Sequence, residues 1–280
     1  MNKEYLLRHF IKLCLESGLG TSRNMSLTSK HSAKYRNNKN YPFHKNYPLK
    51  QENDLLEINP EEISIPKKLI HKELNPKIWN SDKTLRPDVR KKLLKIADEF
   101  YKYLEITIPI QGIRLIGSNA NYNWSNQSDI DVHLFFDFKD LNSDKEFVQN
   151  FFDAKKNLWN LNHNIKIKGF PVELYCNSTE DNPHSAGMFD LYNNKWVTEP
   201  NYENFEIDTN CLQVKTAGII NRIEELENNK QLSVEEKHNN AIILRDRIKK
   251  MRQSGLEKGG EFSIENLSFK IFISSLTFLS

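Results

Sequence analysis

The chain has 280 residues, with 40 Lys and Arg against 37 Asp and Glu for a formal charge of +3. That length holds one sizeable mixed domain with helical additions or two small domains, and the near balance of charge excludes a nucleic-acid binder that works by bulk electrostatics. Three cysteines, Cys14, Cys176 and Cys211, are odd in number and lack Cys-x-x-Cys or Cys/His spacing, which argues against a disulfide framework and a zinc site and for a reducing cytoplasm. No run approaches the roughly 20 apolar residues that span a bilayer, and charges interrupt Met1 to Leu19, so neither a membrane segment nor a signal peptide is expected.

In chain order, Tyr5, Leu6, Phe10, Ile11, Leu13, Cys14 and Leu15 recur at helical spacing before Gly18 and Gly20, which predicts an N-terminal helix over 1–18. Residues 19–55 read as a basic, flexible linker: Thr21 to Lys50 contains no Asp or Glu, and Pro42 and Pro48 interrupt it. Its plainer role is a solvated spacer; the functional alternative is an arm on a phosphate backbone, with Tyr35, Tyr41, Phe43 and Tyr47 stacking on bases. A core is expected over 56–205 and a helical C-terminal subdomain over 206–280.

Within the core, Pro87 to Leu104 puts Val89, Leu93, Leu94, Ile96, Ala97, Phe100 and Tyr101 on one stripe after a proline suited to a first helical position. Short β-rich runs follow at Ile113 to Ile116, Ile130 to Phe136, Ile165 to Ile167 and Val172 to Cys176. Between the second and third, Lys145 to Leu161 carries Phe147, Phe151, Ala154, Leu158 and Leu161 at helical spacing. The order helix, strand, strand, helix, strand, strand predicts an α+β fold, a small mixed sheet with flanking helices. Further on, Ile219, Ile220, Ile223 and Leu226 form a helical stripe from Val214 onward, and Ser233 with Glu236 makes a capping box ahead of Ile242, Ile243, Ile248 and Met251.

The chemistry concentrates between Ile113 and Phe136. An apolar strand runs into Gly117-Ser118, and after about ten residues a second strand opens with Asp129-Ile-Asp131. Strand alternation puts Asp129, Asp131 and His133 on one face and Ile130, Val132, Leu134 and Phe136 on the other. Two like charges this close are usually retained because a hard cation takes oxygen ligands from both. Glycine lets a phosphate approach the backbone, and the Ser118 hydroxyl with the following N–H groups can bond its oxygens at a helix start. Gly-Ser alone is commonly a turn and Asp-x-Asp a solvated strand end; the specific signal is the combination at this spacing.

That combination resembles the signature of the nucleotidyltransferase superfamily of DNA polymerase β, CCA-adding enzymes, poly(A) polymerases and small antibiotic and toxin nucleotidyltransferases. The resemblance implies a third carboxylate on a later strand, which Glu173 supplies in Phe170-Pro-Val-Glu-Leu-Tyr-Cys176, facing away from Val172, Leu174 and Cys176. It covers Ile113 to Cys176. A longer likeness, through Trp159, Glu173, Ser185 to Trp196 and Gly260 to Lys270, is to predicted nucleotidyltransferases of large tailed phages, which implies a phage protein in a host cytoplasm. The implied activity moves a nucleoside monophosphate from an NTP such as ATP to an acceptor hydroxyl, RNA or protein among the candidates, and releases pyrophosphate. Asp129, Asp131 and Glu173 would be catalytic and ligate Mg²⁺, or Mn²⁺ in its place, while Gly117 and Ser118 would bind the donor nucleotide. Two departures stand out: Asn121-Tyr122 replaces the Arg-Gly pair of toxin-type enzymes, and Phe269 to Ser280 is apolar.

Other residues have plainer readings. His133 shares the aspartate face, Lys166 and Lys168 flank the site in sequence and could meet a triphosphate, and Trp159, Trp196 and Tyr192 read as packing residues. Two rival functions are a glycosyltransferase holding a nucleotide-sugar through Asp129-x-Asp131, and a binding module that keeps the fold without turnover. The first gives Gly117-Ser118 no role.

Overall fold

A computed structural model describes residues 58–66, 69–181, 183, 185–202 and 207–278, with side chains up to 275. The expected helix over 1–18 and the whole linker over 19–55 lie outside the described residues, as do Cys14 and the linker aromatics. Two compact units divide the chain. One takes residues 58–66, 207–258 and 263–278 of those described, and the other takes Lys67–Glu206 and Gly259–Phe262. The elements are mixed α and β in an α+β arrangement, with six strands in one mixed sheet and five helices among the described residues. None of those helices is long and apolar enough to cross a membrane.

The sheet unit contains β1 (Gly112–Ile116), β2 (Ile130–Phe136), β3 (Lys166–Ile167), β4 (Phe170–Ser178), β5 (Met188–Asp190) and β6 (Lys195–Thr198). Their spatial order is β3-β4-β2-β1-β5-β6. Only β2 and β4 run parallel, joined through α2 (Lys145–Asn162), because a parallel pair needs a long crossover whereas β1 and β2 need only a loop. Lys168 (φ 55°) and Gly169 (φ 93°) form the two-residue turn between β3 and β4, where left-handed backbone at both positions suits a tight hairpin. The expected runs at 113–116, 130–136 and 172–176 fall on strands and that at 165–167 does so except for Ile165, but β5 and β6 were not anticipated: at three and four residues they are too short to establish a period.

One face of the sheet is dry. Ile113 and Leu115, Ile130 to Phe136 in alternation, Val172, Leu174, Cys176 and Phe189 pack with Val89, Leu93, Ile96, Ala97 and Phe100 of α1 (Pro87–Leu104) and with α2 in one core. Pro87 opens α1, and Glu105 at φ 56° closes it in the left-handed conformation. Asp144 caps α2 by accepting the Phe147 N–H at 3.0 Å.

The buried face of α2 corrects the sequence reading. Val148, Phe152 and Trp159 face the core, whereas Phe147, Leu158 and Leu161 are 59%, 52% and 82% exposed, and Ala154 is exposed too. Two apolar stripes one residue apart compete, and a residue step turns a helix by about 100°. The stripe that wins brings in the larger aromatic packing: Phe152 stacks on Phe136 with ring centroids 5.2 Å apart, and Trp159 meets Phe100 at 5.4 Å. Tyr192 is a second correction, half exposed where packing was expected. Trp196 does pack, stacked on Trp79 at 4.5 Å.

The helical unit holds α3 (Thr209–Asn228), α4 (Val234–Gly259) and α5 (Ile264–Phe278). Ile219, Ile223 and Leu226 of α3, Ala241, Leu244 and Ile248 of α4, and Phe269, Phe272 and Ile273 of α5 form its core. The apolar stretch after Phe269 is thus helix interior as far as it is described. The capping box forms as read: the Ser233 N–H donates to Glu236 Oε2 at 2.8 Å and the Glu236 N–H to Ser233 Oγ at 3.3 Å.

Candidate functional site

The face of the sheet opposite the core carries the polar residues, and pairing register assembles them. Asp131 of β2 lies opposite Glu173 of β4 on one side and Ile116 of β1 on the other. Directly opposed residues share a face, so the two carboxylates stand side by side on adjoining parallel strands, with Asp129 one alternation before β2 on the same side. All three are half-buried. One step further along, His133 lies opposite Tyr175 and Arg114.

Gly117 ends β1 with φ 80° and ψ −164°, a conformation essentially confined to glycine. A Cβ at this position would also overlap the Asp131 carboxylate, so the glycine backbone lies directly against one of the acids. The residues that follow make a single 3₁₀ turn, Ser118–Ala120, not the expected helix start: the Ala120 N–H bonds Gly117 O and the Asn121 N–H bonds Ser118 O. Ser118 Oγ donates to Ser128 Oγ at 2.9 Å. The Asn119 carboxamide donates to the Asp129 carbonyl at 2.7 Å and accepts from Asn75 at 2.7 Å, and the Trp79 indole N–H meets Asn119 O at 2.6 Å. The loop from β1 to the aspartates is therefore tied down by buried amides at both ends, which orients Ser118 and Asp129 before any ligand arrives.

Tyr175 was not foreseen. Its ring is buried and its hydroxyl donates to Glu173 Oε2. Burial, followed by the charges of Glu173, Asp131 and Asp129, pushes the phenol well above its usual range, so it remains a donor at every working pH and feels the field of all three acids. His133, 1% exposed, is held down to about 4, chiefly by burial. It is neutral above that, donates from Nδ1 to Asn177 Oδ1 at 2.6 Å and stacks on Tyr175 at 4.5 Å. It braces the site from below. Arg114, also unforeseen, puts a guanidinium on this face, 4.2 Å over the Phe135 ring.

The other candidates separate. Lys166 lies opposite Pro171 and so shares the Glu173 face, exposed. Lys168 is engaged with Asp88 at 2.7 Å. Trp159 is buried in the core with Phe100. The donor set of Asp129, Asp131 and Glu173 consists of oxygens alone, which suits a hard divalent ion. Among the described residues no three His, Cys, Asp or Glu side chains converge closely enough to hold a metal as they stand; like charges separate, and Glu173 turns one oxygen to Tyr175. Glu261 is the other missed residue, buried behind the Gly117 turn, where it accepts from Asn121 and Ser185. No family model, curated protein or solved structure matches the chain.

Proposed function

We propose that the chain is a metal-dependent nucleotidyltransferase with a polymerase β-like core, moving a nucleoside monophosphate from an NTP to an acceptor hydroxyl. The observation that carries this reading is the juxtaposition of three acids with a glycine turn: Asp131 faces Glu173 in register, Asp129 precedes it on the same side, and the Gly117 backbone abuts Asp131. A nucleotide-sugar enzyme needs the aspartates but gives no reason for that turn. The likeness to predicted phage enzymes supports the same reading and suggests a host cytoplasm.

Asp129, Asp131 and Glu173 would hold Mg²⁺ or Mn²⁺, which when bound neutralises phosphate charge and makes the acceptor oxygen more acidic. Without a side chain, Gly117 would let a donor phosphate come near the backbone, and Ser118 Oγ can exchange Ser128 for a phosphate oxygen by one rotation. The acceptor oxygen bonds the α-phosphorus, the bond from that phosphorus to the bridging oxygen of the β-phosphate breaks, and pyrophosphate leaves. The acceptor proton passes to a Glu173 oxygen and on to water. Tyr175 keeps the other Glu173 oxygen in a hydrogen bond, which holds the acid on the site face.

A module that binds nucleotide without turnover draws support from that same Tyr175–Glu173 bond, since it engages the third acid. Label position separates the readings. With α-³²P-NTP and Mg²⁺ or Mn²⁺, cell RNA, protein or small-molecule fractions should acquire label, whereas γ-³²P-NTP should release it as pyrophosphate. Transfer from the γ-position alone, or binding with no transfer to any fraction, contradicts the proposal.

A further inference from the structure

The Gly117 turn is held from behind by a carboxylate that no strand supplies. Residues Gly259–Phe262 run from the last residue of α4 towards α5 in sequence yet belong to the sheet unit. Gly260 turns the chain at φ 67°, and Glu261 is only 8% exposed. A carboxylate withdrawn from water is retained where donors meet it. Here Asn121 Nδ2 donates to Oε2, and Ser185 Oγ lies 3.0 Å from Oε1. Ser185 Oγ in turn accepts the Gly117 N–H at 3.2 Å and has the Gly187 carbonyl within reach at 2.8 Å. The Glu261 carbonyl accepts from Asn123 Nδ2 at 3.1 Å. Asn121 Oδ1 takes the Tyr122 N–H at 2.7 Å, which fixes the end of the carboxamide that faces Glu261. Asn121 and Asn123 are thus held directly by the side chain and backbone of Glu261, 140 positions after Asn121, and Gly117 is held through Ser185.

We propose that Glu261 is the positioning residue of the Gly117–Ser118 turn: through Ser185 and Asn121 it fixes the backbone that lies against Asp131 and, on the nucleotidyl-transfer reading, receives the donor phosphate. The residue touches no reacting atom. It acts by reducing the freedom of a backbone that must meet phosphate in one geometry, and losing that order raises the KM for donor before it alters the chemical step.

The test compares Glu261→Leu, which removes both acceptors, with Glu261→Gln, which can accept from Asn121 while donating to Ser185 as the serine proton turns to Gly187. Amide exchange of residues 117–121 in the free protein should rise about tenfold or more in the Leu variant, and affinity for Mg²⁺–NTP should fall by about tenfold or more. The Gln variant should recover both to within about threefold. A merely structural anchor would instead lower the melting temperature while leaving exchange at 117–121 and NTP affinity at their wild-type values, and that result overturns the proposal. Should Glu261→Leu not fold, Ser185→Ala decides: it removes the acceptor of the Gly117 N–H and leaves Glu261 with Asn121, so unchanged exchange at Gly117 overturns it equally. A wild-type chain that binds no NTP with either metal contradicts the functional reading alone, since exchange still reports whether Glu261 holds the turn.

Discussion

Gly117 combines two demands that no other residue meets, a left-handed extended backbone and an absent Cβ where the Asp131 carboxylate lies. Gly117→Ala should therefore cost about 1–3 kcal/mol from backbone strain alone and displace Asp131, so nucleotide affinity should fall more than stability does. Titration of the Mg²⁺–NTP complex beside a denaturant melt checks this; equal losses in both would make the glycine a folding residue only. For Glu173→Gln the shape and the Tyr175 bond survive and only charge is lost, so donor affinity should change little while transfer falls by about a hundredfold, roughly 2.7 kcal/mol of barrier. Equivalent changes at Glu180, which pairs with Lys139 at 2.5 Å on the surface, should do nothing to either. His133 supplies a pH signature. Its folded pKa of about 4 lies below the ordinary 6.5, so as pH falls the unfolded chain takes up the proton first. Stability from neutral His133 is complete above about 6.5 and is lost as pH drops towards 4, about 3 kcal/mol in full. A His133→Gln variant should show a flatter melting-temperature profile than wild type between those pH values; parallel profiles would contradict the burial account. Gly117, Ser118, Asp129 and Asp131 were visible in the sequence because strand alternation and a short loop are local. Tyr175 and Glu261 were not, since one reads as an ordinary strand aromatic and the other reaches Asn121 from 140 residues away.

At the scale of elements, local signals located α1, β2 and α2 but did not orient α2. Its two apolar stripes satisfy the same helical period, and only the tertiary aromatic partners Phe100, Phe136 and Phe138 select between them. The outcome is testable by substitution. Phe152→Ala should cost about 3–5 kcal/mol because it empties a fully buried site, whereas Leu158→Lys, at 52% exposure, should stay within about 0.5 kcal/mol of wild type. Chemical denaturation of the two variants measures the difference, and comparable losses would restore the stripe that the sequence favoured. The short β5 and β6 escaped notice for the opposite reason: they are strands because β1 offers an edge to Phe189 and Asp190, not because three residues insist on being extended.

At the scale of the molecule, the sequence reading drew single boundaries at 55/56 and 205/206, while the described chain passes between the two units at 66/67, 206/207, 258/259 and 262/263. The last two crossings leave no compositional trace, because four residues cannot announce to which core they belong; Gly260 and Glu261 acquire meaning only from Asn121 and Ser185. The central claim is that acids from separate strands converge on one metal–nucleotide complex, and calorimetric titration of NTPs with and without Mg²⁺ addresses it most directly. Wild type should bind NTP with Mg²⁺ and at least about tenfold more weakly without it, and Asp129→Ala with Asp131→Ala should abolish that dependence while the fold persists, because both acids lie opposite the apolar core. Metal-independent NTP binding that is unchanged in the double variant would contradict the account.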